Sequence, residues 1–128
     1  MKTYKETIAR GVLDSAYMVH KAVGPGLLES VYESCLVKEL RDRGFNVKNQ
    51  VEIPIHYMGE KIENEYRIDL LVNNEIIIEL KAVESLLPVH EAQLMSYLRI
   101  ANKKLGFLIN FNVPLIKDGI RRYVNNYL

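Results

Sequence analysis

Two apolar runs joined by Asn73-Asn74 constrain the fold of this chain more than any other feature. The first run extends from Glu65 to Val72, and the second extends from Glu75 to Leu80. Both runs are rich in isoleucine, leucine and valine, which favour strands, and asparagine tolerates the left-handed backbone of a tight turn. The pattern therefore predicts a β-hairpin.

The register of this hairpin follows from the distribution of its apolar residues. If Val72 faced Glu75 across a two-residue turn, both faces would mix charged and apolar side chains. If Val72 instead faces Ile76 across a three-residue loop, the two kinds of side chain separate. One face then carries Ile68, Leu70, Val72, Ile76, Ile78 and Leu80, and the other carries Arg67, Asp69, Glu79 and Lys81. We predict this second register, which places Asp69 directly opposite Glu79.

The charged face of the hairpin has the composition of a metal site. Two carboxylates that face each other repel unless a cation lies between them, and their hard oxygen atoms suit Mg²⁺ or Mn²⁺. We therefore expect Asp69 and Glu79 to bind the ion, with the backbone carbonyl of Leu80 as a further ligand. Such an ion can polarise a phosphoryl oxygen, while Lys81 positions the attacking water or stabilises phosphorane charge. The alternative is that these residues form only cross-strand ion pairs.

Further helices and strands are predicted on both sides of the hairpin. Apolar residues recur at helical spacing from Glu6 to Val23, from Leu28 to Arg43 and from His90 to Ala101. Alternation between Phe45 and Tyr57 and an apolar run from Leu105 to Phe111 predict more strands. This order of elements predicts an α/β fold.

Polar residues outside the hairpin are candidates for the same site. His90, Gln93 and Tyr97 share one side of the third predicted helix, so we expect Gln93 and Tyr97 in the catalytic centre and His90 on the substrate. In the alternative, Gln93 is solvated and Tyr97 packs in the core. Glu29, at the start of the second helix, is either a third acid on the metal or a helix cap. His20, ahead of a Gly-Pro-Gly break, is a further candidate ligand.

The charge balance limits how the chain can attract nucleic acid. Lys+Arg number 17 and Asp+Glu number 16, so the formal charge of +1 gives no strong overall field. Contact with phosphates then depends on local basic residues. The candidates are Arg67, Lys103 and Lys104, with Lys117, Arg121 and Arg122.

Length and composition set the expectations for organisation and compartment. A chain of 128 residues has the size of one domain, which we expect to span residues 1–128. Its single cysteine, Cys35, excludes an internal disulfide and fits a small core residue. We find no apolar signal-peptide region and no membrane-spanning run of ~18 apolar residues. We therefore expect a cytoplasmic protein with no membrane partner.

Several segments, taken in order, resemble a known family. Gly26-Leu27-Leu28-Glu29-Ser30-Val31-Tyr32 resembles the signature of the small bacterial GxxExxY proteins. The later segments that resemble the family are Tyr66-Arg67-Ile68-Asp69-Leu70, Ile78-Glu79-Leu80-Lys81-Ala82-Val83, His90-Glu91-Ala92-Gln93-Leu94 and Leu108-Ile109-Asn110-Phe111. Gln93-Leu94-Met95-Ser96-Tyr97 is similar to the Gln-x-x-x-Tyr motif of RecB-type exonucleases. The chain departs from the family at Asn112, where we expect glycine, and at Ile68, where a smaller residue is common.

This resemblance implies a place in the PD-(D/E)xK nuclease superfamily. The implied fold is a restriction-endonuclease-like core, a mixed central β-sheet flanked by helices. The implied activity is Mg²⁺-dependent phosphodiester hydrolysis, with Asp69 and Glu79 as ligands and Lys81 as the catalytic lysine. The implied partner is nucleic acid, with DNA favoured over RNA, and a homodimer or a partner protein could complete the site.

Two other function classes stay open at this point. The first is a catalytically silent module that keeps the nuclease fold and binds nucleic acid or a protein. The second is a structural subunit that assembles through the tyrosine-rich tail around Tyr123 and Tyr127. That tail, from Asp118 to Leu128, fits either a strand or a helix.

Overall fold

Residues 3–126 of the computed structural model are described here, and they form three α-helices, seven strands and one short 3₁₀ helix. The helices are α1 (Tyr4–Val23), α2 (Glu29–Asp42) and α3 (Pro88–Ile100), and the 3₁₀ helix is Ile116–Gly119. The strands are β1 (Val47–Glu52), β2 (His56–Tyr57), β3 (Glu60–Lys61), β4 (Arg67–Val72), β5 (Ile76–Lys81), β6 (Leu105–Asn110) and β7 (Ile120–Val124).

The ends of the first two helices follow from their local sequence. The Thr3 side chain accepts a hydrogen bond from the Glu6 N–H at 3.1 Å and so caps the start of α1. Gly24 has φ +69°, a conformation that ends α1 at little steric cost. Gly44, with φ +91°, follows α2 in the predicted capping position. Within residues 3–126, no helix combines the length and the apolar character needed to cross a membrane.

The central sheet has five strands in the order β1-β4-β5-β6-β7. Strands β5 and β6 are parallel, with Ile76 beside Leu105, while the other neighbouring pairs are antiparallel. Helix α3 is the crossover that a parallel pair requires. Strands β2 and β3 form a separate small hairpin around Met58 and Gly59. The sheet is therefore mixed and flanked by helices, as predicted.

The sheet separates two hydrophobic cores. The larger core lies under α1 and α2 and includes Leu70, Val72, Ile76, Ile78 and Leu80, with Tyr32, Leu36 and Leu40 from α2. Cys35 is half-buried against this core. The smaller core lies under α3 and joins Leu71, Ile77 and Leu108 to Leu94 and Leu98. Because both faces of β4 and β5 are covered, their sequences are almost continuously apolar.

The C-terminal tail forms strand β7 after the end of the 3₁₀ helix. Strand β7 pairs antiparallel with β6, and Ile120 lies beside Ile109. Tyr123 is half-buried and packs against the core under α3. Tyr127, the other residue of the predicted assembly surface, lies outside the described residues. The half-burial of Tyr123 leaves little of it for contact with another chain.

Candidate functional site

The predicted acidic pair lies where β4 and β5 separate. Leu70 pairs with Ile78, and extending this register by one residue places Asp69 opposite Glu79, as predicted. At that point the Asp69 N–H donates to Glu79 Oε2 at 2.8 Å, and the Leu80 N–H donates to Asp69 Oδ2 at 2.8 Å. Each carboxylate thus accepts a backbone hydrogen bond from the opposite strand. Both side chains are held in place by the backbone.

One part of the predicted face pattern is wrong. Ile68 was expected beside Leu70, but it packs in the core under α3, whereas Leu70 packs in the core under α1 and α2. The alternation is interrupted at Asp69, because its N–H donates to the Glu79 carboxylate and not to a backbone carbonyl of the neighbouring strand. The neighbouring strand is also irregular here, since the pairing of β1 with β4 passes from Asn49–Leu70 to Val51–Ile68 and skips Gln50, which has φ +53°.

Burial raises the pKa of both carboxyl groups. For Asp69, burial raises the pKa to about 6, opposed by the Leu80 hydrogen bond and supported by the charges of Glu29 and Glu33. For Glu79, burial and then the charge of Asp69 raise the pKa to about 8. Because the charge of one acid opposes the ionisation of the other, the two acids titrate as a coupled pair. Without a cation, the pair therefore tends to retain a proton near neutral pH.

Lys81 supplies positive charge at the same end of β5. It is two residues beyond Glu79 and is half-buried. Its ammonium group lowers the pKa of both Asp69 and Glu79, which places the three charges within electrostatic reach of one another. The predicted grouping of two acids and one lysine is therefore present in the structure.

Asn110 anchors the chain that follows Lys81. It lies beside Lys81 in the parallel pair and is buried. Its Oδ1 accepts from the Val83 N–H at 3.1 Å and from the Asn112 N–H at 3.2 Å, and its Nδ2 donates to the Val83 carbonyl at 2.9 Å. Sequence reasoning gave Asn110 no role, although a polar residue at the end of the apolar strand β6 was a visible signal.

The loop before α2 places Glu29 near the two acids. The Tyr32 hydroxyl donates to the Gly24 carbonyl at 2.6 Å and accepts from the Leu27 N–H at 3.1 Å, while its ring stacks on Phe111 at 4.6 Å. These contacts fix the loop against the core. Glu29 is the first residue of α2, and its charge raises the pKa of both acids. This position is compatible with a ligand and with a helix-dipole role.

Two polar residues beside Asp69 were missed in the sequence. Gln50 Nε2 donates to Glu33 Oε1 at 2.7 Å and makes a longer contact of 3.4 Å with Asp69 Oδ1. Glu33 also raises the pKa of Asp69. No motif marks either residue, because their proximity depends on the irregular backbone of β1 and on the packing of α2.

Tyr97 and Gln93 of α3 lie on the other side of the acids. Tyr97 is 5% exposed, and burial, followed by the charges of Glu79 and Asp69, raises the pKa of its hydroxyl to about 12. Gln93 and Tyr97 line the same cavity, which has a volume of about 320 Å³. Tyr97 is thus both a packing residue and a neighbour of the acidic pair.

The two candidate histidines have hydrogen-bond partners of their own. His90 Nδ1 accepts from the Leu87 N–H at 3.0 Å, which caps the start of α3. His20 is buried, its Nε2 lies 2.8 Å from the Val113 carbonyl, and its ring is 6.5 Å from that of Phe111. Each imidazole therefore has a structural role that its sequence position did not indicate.

The predicted basic contacts lie at both ends of the β4–β5 pair. Arg67 donates from Nη1 to the Tyr66 carbonyl at 2.8 Å. Lys103 donates to Asn74 Oδ1 at 3.2 Å, at the hairpin turn, and Lys104 is next to it. Because β5 and β6 are parallel, the loop before β6 lies at the start of β5, whereas the acids lie near its end. Lys103 and Lys104 therefore lie at the opposite end of β5 from the acidic pair, and their contacts with phosphates stay a prediction.

Comparison with protein families agrees with this geometry. The profile of the PD-(D/E)XK nuclease superfamily matches residues 6–123, which is nearly the whole chain. The chain belongs to the PD-(D/E)XK nuclease superfamily. The mixed sheet flanked by helices is its restriction-endonuclease-like fold. Comparison with curated proteins gave no significant match, and comparison with solved structures gave none either.

The superfamily's name describes the residues at the separated strand ends. Glu79-Leu80-Lys81 fits the (D/E)-x-K part, and Asp69 fits the preceding acid. Ile68 stands directly before Asp69, where the name has proline. Since Ile68 is buried in the core under α3, an apolar side chain is required there by packing.

The acidic pair has the chemistry of a divalent cation site, and nucleases of this superfamily generally depend on divalent metals. One oxygen of each carboxylate is fixed by a backbone N–H, so a ligand would bind at Glu79 Oε1 and at Asp69 Oδ1, where the only hydrogen bond from the described residues is the long one of 3.4 Å from Gln50. Glu79 Oε1 accepts no hydrogen bond from residues 3–126. Within the same part of the chain, no three histidine, cysteine or acidic side chains are grouped as a complete metal site. Mg²⁺ and Mn²⁺ fit this arrangement, since such ions keep several waters.

Proposed function

We propose that this protein is a Mg²⁺- or Mn²⁺-dependent nuclease that hydrolyses phosphodiester bonds of DNA. One observation carries the proposal: Asp69 and Glu79 face each other where β4 and β5 separate, each fixed by the other strand's backbone. Burial and the charge of Asp69 raise the pKa of Glu79. The ionised pair is therefore unfavourable by itself, and a cation between the two acids would stabilise it. The superfamily supports a nucleic-acid substrate.

The proposed ligands are Asp69 Oδ1, Glu79 Oε1 and the backbone carbonyl of Leu80. Glu29 adds negative charge from the start of α2 and would contact the ion through water. When bound, the cation polarises a phosphoryl oxygen and assists the ionisation of water. Fixed acids bind it without reorganisation of the chain, which favours catalysis by positioning.

Lys81 acts on the reacting phosphate. Its ammonium group is already within electrostatic reach of both acids, so it can orient the attacking water and stabilise charge that develops on the phosphoryl oxygens. A water oxygen bonds to phosphorus, the bond from phosphorus to one sugar oxygen breaks, and that oxygen leaves with a proton. Asn110 positions Lys81 by holding the chain that follows it.

Gln93 and Tyr97 hold the substrate on the α3 side. The raised pKa of Tyr97 keeps its hydroxyl neutral, so it donates a hydrogen bond and does not repel a phosphate. The Gln93 amide both donates and accepts. Neither residue needs to change its charge during the reaction.

Cleavage of labelled DNA and RNA by purified wild-type protein, with Mg²⁺ or Mn²⁺ and with EDTA, tests the proposal. We expect metal-dependent cleavage that Asp69→Asn and Lys81→Ala each reduce by at least about 10²-fold. Glu63→Gln, which changes an exposed carboxylate on the loop before β4, is the matched control and should cleave as wild type does. Absence of cleavage with both metals, or full activity of Asp69→Asn, would contradict the proposal.

A catalytically silent module that binds nucleic acid or a protein is the second candidate. It is favoured by the finding that residues 3–126 do not group three metal-binding side chains. Such a module should bind DNA equally well with and without divalent ions, and Asp69→Asn should bind as wild type does. A nuclease should bind more tightly with the ion, because the acids otherwise repel the phosphate.

A further inference from the structure

A cavity lies between α3 and two connecting segments, the one that follows β1 and the one that precedes β4. Its volume is about 320 Å³, near the lower end of the roughly 300–1,000 Å³ of small-molecule sites. Its walls include Ile53, Ile55, Tyr66, Val89, Gln93 and Tyr97. Among the described residues that line it, none is charged. A phosphate or an ion is therefore a poor occupant, whereas a flat and mainly apolar group fits.

Tyr97 connects this cavity to the acids. Its side chain lines the cavity together with Tyr66, whose ring it meets and which is three residues before Asp69 along the chain, and the charges of Glu79 and Asp69 act on its hydroxyl. The cavity wall and the acidic pair are therefore neighbours. A molecule whose phosphate lies at the acids can extend its adjacent group into the cavity.

Tyr66 gives the cavity an aromatic surface near solvent. It is 51% exposed, and its ring meets that of Tyr97 edge to face at 6.2 Å. Its position is fixed by the backbone, because its N–H donates to Asn64 Oδ1 at 2.9 Å and its carbonyl accepts from Ile53 and Arg67. A half-exposed aromatic ring on a fixed backbone is suited to stacking.

We propose that this cavity receives an unpaired nucleobase of the substrate and that the DNA of the proposed function is accordingly bound as a single strand. The base stacks on Tyr66, and its polar edge bonds to the Gln93 amide, while the adjacent phosphate lies at Asp69 and Glu79. A base inside a duplex is paired and stacked, so it can enter only after it leaves the helix. This inference rests on the proposed nuclease function and adds the class of substrate.

Binding of fluorescent oligonucleotides, measured by anisotropy with Ca²⁺ in place of Mg²⁺, tests the pocket. The probes are a single strand of roughly ten nucleotides, its duplex and the RNA of the same sequence. We expect Tyr66→Ala to weaken binding of the single strand by about 5- to 150-fold, whereas Tyr66→Phe keeps the ring and stays within about twofold. Tyr57→Ala, which removes a 69% exposed tyrosine from β2, is the control.

Single strands in which one base is missing but the backbone is intact locate the contact. We expect affinity to fall when the missing base is at one position next to the cleaved bond, and to stay unchanged elsewhere. Equal affinity for the single strand and the duplex, or unchanged affinity in Tyr66→Ala, would contradict the proposed base pocket. Cleavage by wild-type protein would in that case still support the nuclease function. Tighter binding of the RNA strand would overturn the choice of DNA. Absence of any metal-dependent cleavage would instead contradict the nuclease function itself.

Discussion

The two ends of the β4–β5 pair differ sharply although they are adjacent, since Asp69 and Glu79 directly follow the Leu70–Ile78 pair. At the turn end, Val72, Leu71 and Leu70 pair with Ile76, Ile77 and Ile78 in a regular ladder of buried side chains. At the other end, the carboxylates of Asp69 and Glu79 take the place of backbone carbonyls as hydrogen-bond acceptors. The first end stabilises the fold, and the second holds charge at a cost in stability.

This difference shows how a buried acidic pair is tolerated in an apolar sheet. The backbone N–H groups that the acids bind would otherwise lack partners where the strands separate. Each carboxylate in turn receives a hydrogen bond that offsets part of its desolvation. The hydrogen bonds therefore hold both acids in place. The remaining desolvation and repulsion favour the binding of a cation.

Truncating a side chain at the regular end should have the largest effect on stability. Ile78→Ala removes a fully buried side chain from the core under α1 and α2, so we expect a loss of about 2–5 kcal/mol in the free energy of unfolding. Urea denaturation measures it. Ile62→Ala, at a 40% exposed position, should change stability by less than about 0.5 kcal/mol. Similar losses at the two positions would contradict the assignment of the core.

Removing the charge of Glu79, where β4 and β5 separate, should instead increase the stability of the fold. The pKa of Glu79 is about 8 in the folded protein and near its ordinary value in the unfolded chain, so the folded state binds more protons between these values. Stability without metal then falls as pH rises through this range. We expect Glu79→Gln to raise the free energy of unfolding by roughly 1–3 kcal/mol at pH 8, and by much less at pH 5.

The matched control for this prediction is Glu63→Gln. That carboxylate is exposed, so its replacement should leave the pH dependence of stability unchanged. Denaturation curves with EDTA at both pH values give the comparison. A Glu79→Gln protein that is less stable than wild type at pH 8 would show that the acid stabilises the fold.

The smallest expected effect concerns the backbone of β1. Gln50, beside Asp69, has φ +53°, so we expect Gln50→Gly to be more stable than Gln50→Ala by about 0.5–1 kcal/mol. Lys48, opposite Leu71, lies in the regular part of the same strand, where Lys48→Gly should be less stable than Lys48→Ala by a similar amount. If glycine were more stable than alanine at both positions, or less stable at both, the structural difference between the two ends would be contradicted.

Period-two patterning was sufficient to predict the hairpin, its register and the opposition of Asp69 and Glu79. It failed one residue away, at Ile68, because a side chain replaced a carbonyl as the partner of the Asp69 N–H. Nothing in an alternating pattern reports such a replacement. The family resemblance predicted the superfamily, which the match over residues 6–123 confirms.

Other parts of the site depended on topology. Lys103 and Lys104 were assigned to substrate because they are basic, yet the parallel arrangement of β5 and β6 places them at the turn end. That outcome could have been deduced once α3 was identified as a crossover. Gln50 and Glu33 could not have been found, since their contacts require the left-handed residue in β1.

Metal binding by isothermal titration calorimetry tests the central claim most directly. We expect that wild-type protein binds Mn²⁺ and that its affinity rises between pH 6 and pH 8 as the acids lose their protons. Glu79→Gln should weaken binding by at least about 10-fold, and Glu63→Gln should not. Wild-type protein that binds no divalent ion, or a Glu79→Gln protein that binds as tightly as wild type, would contradict it.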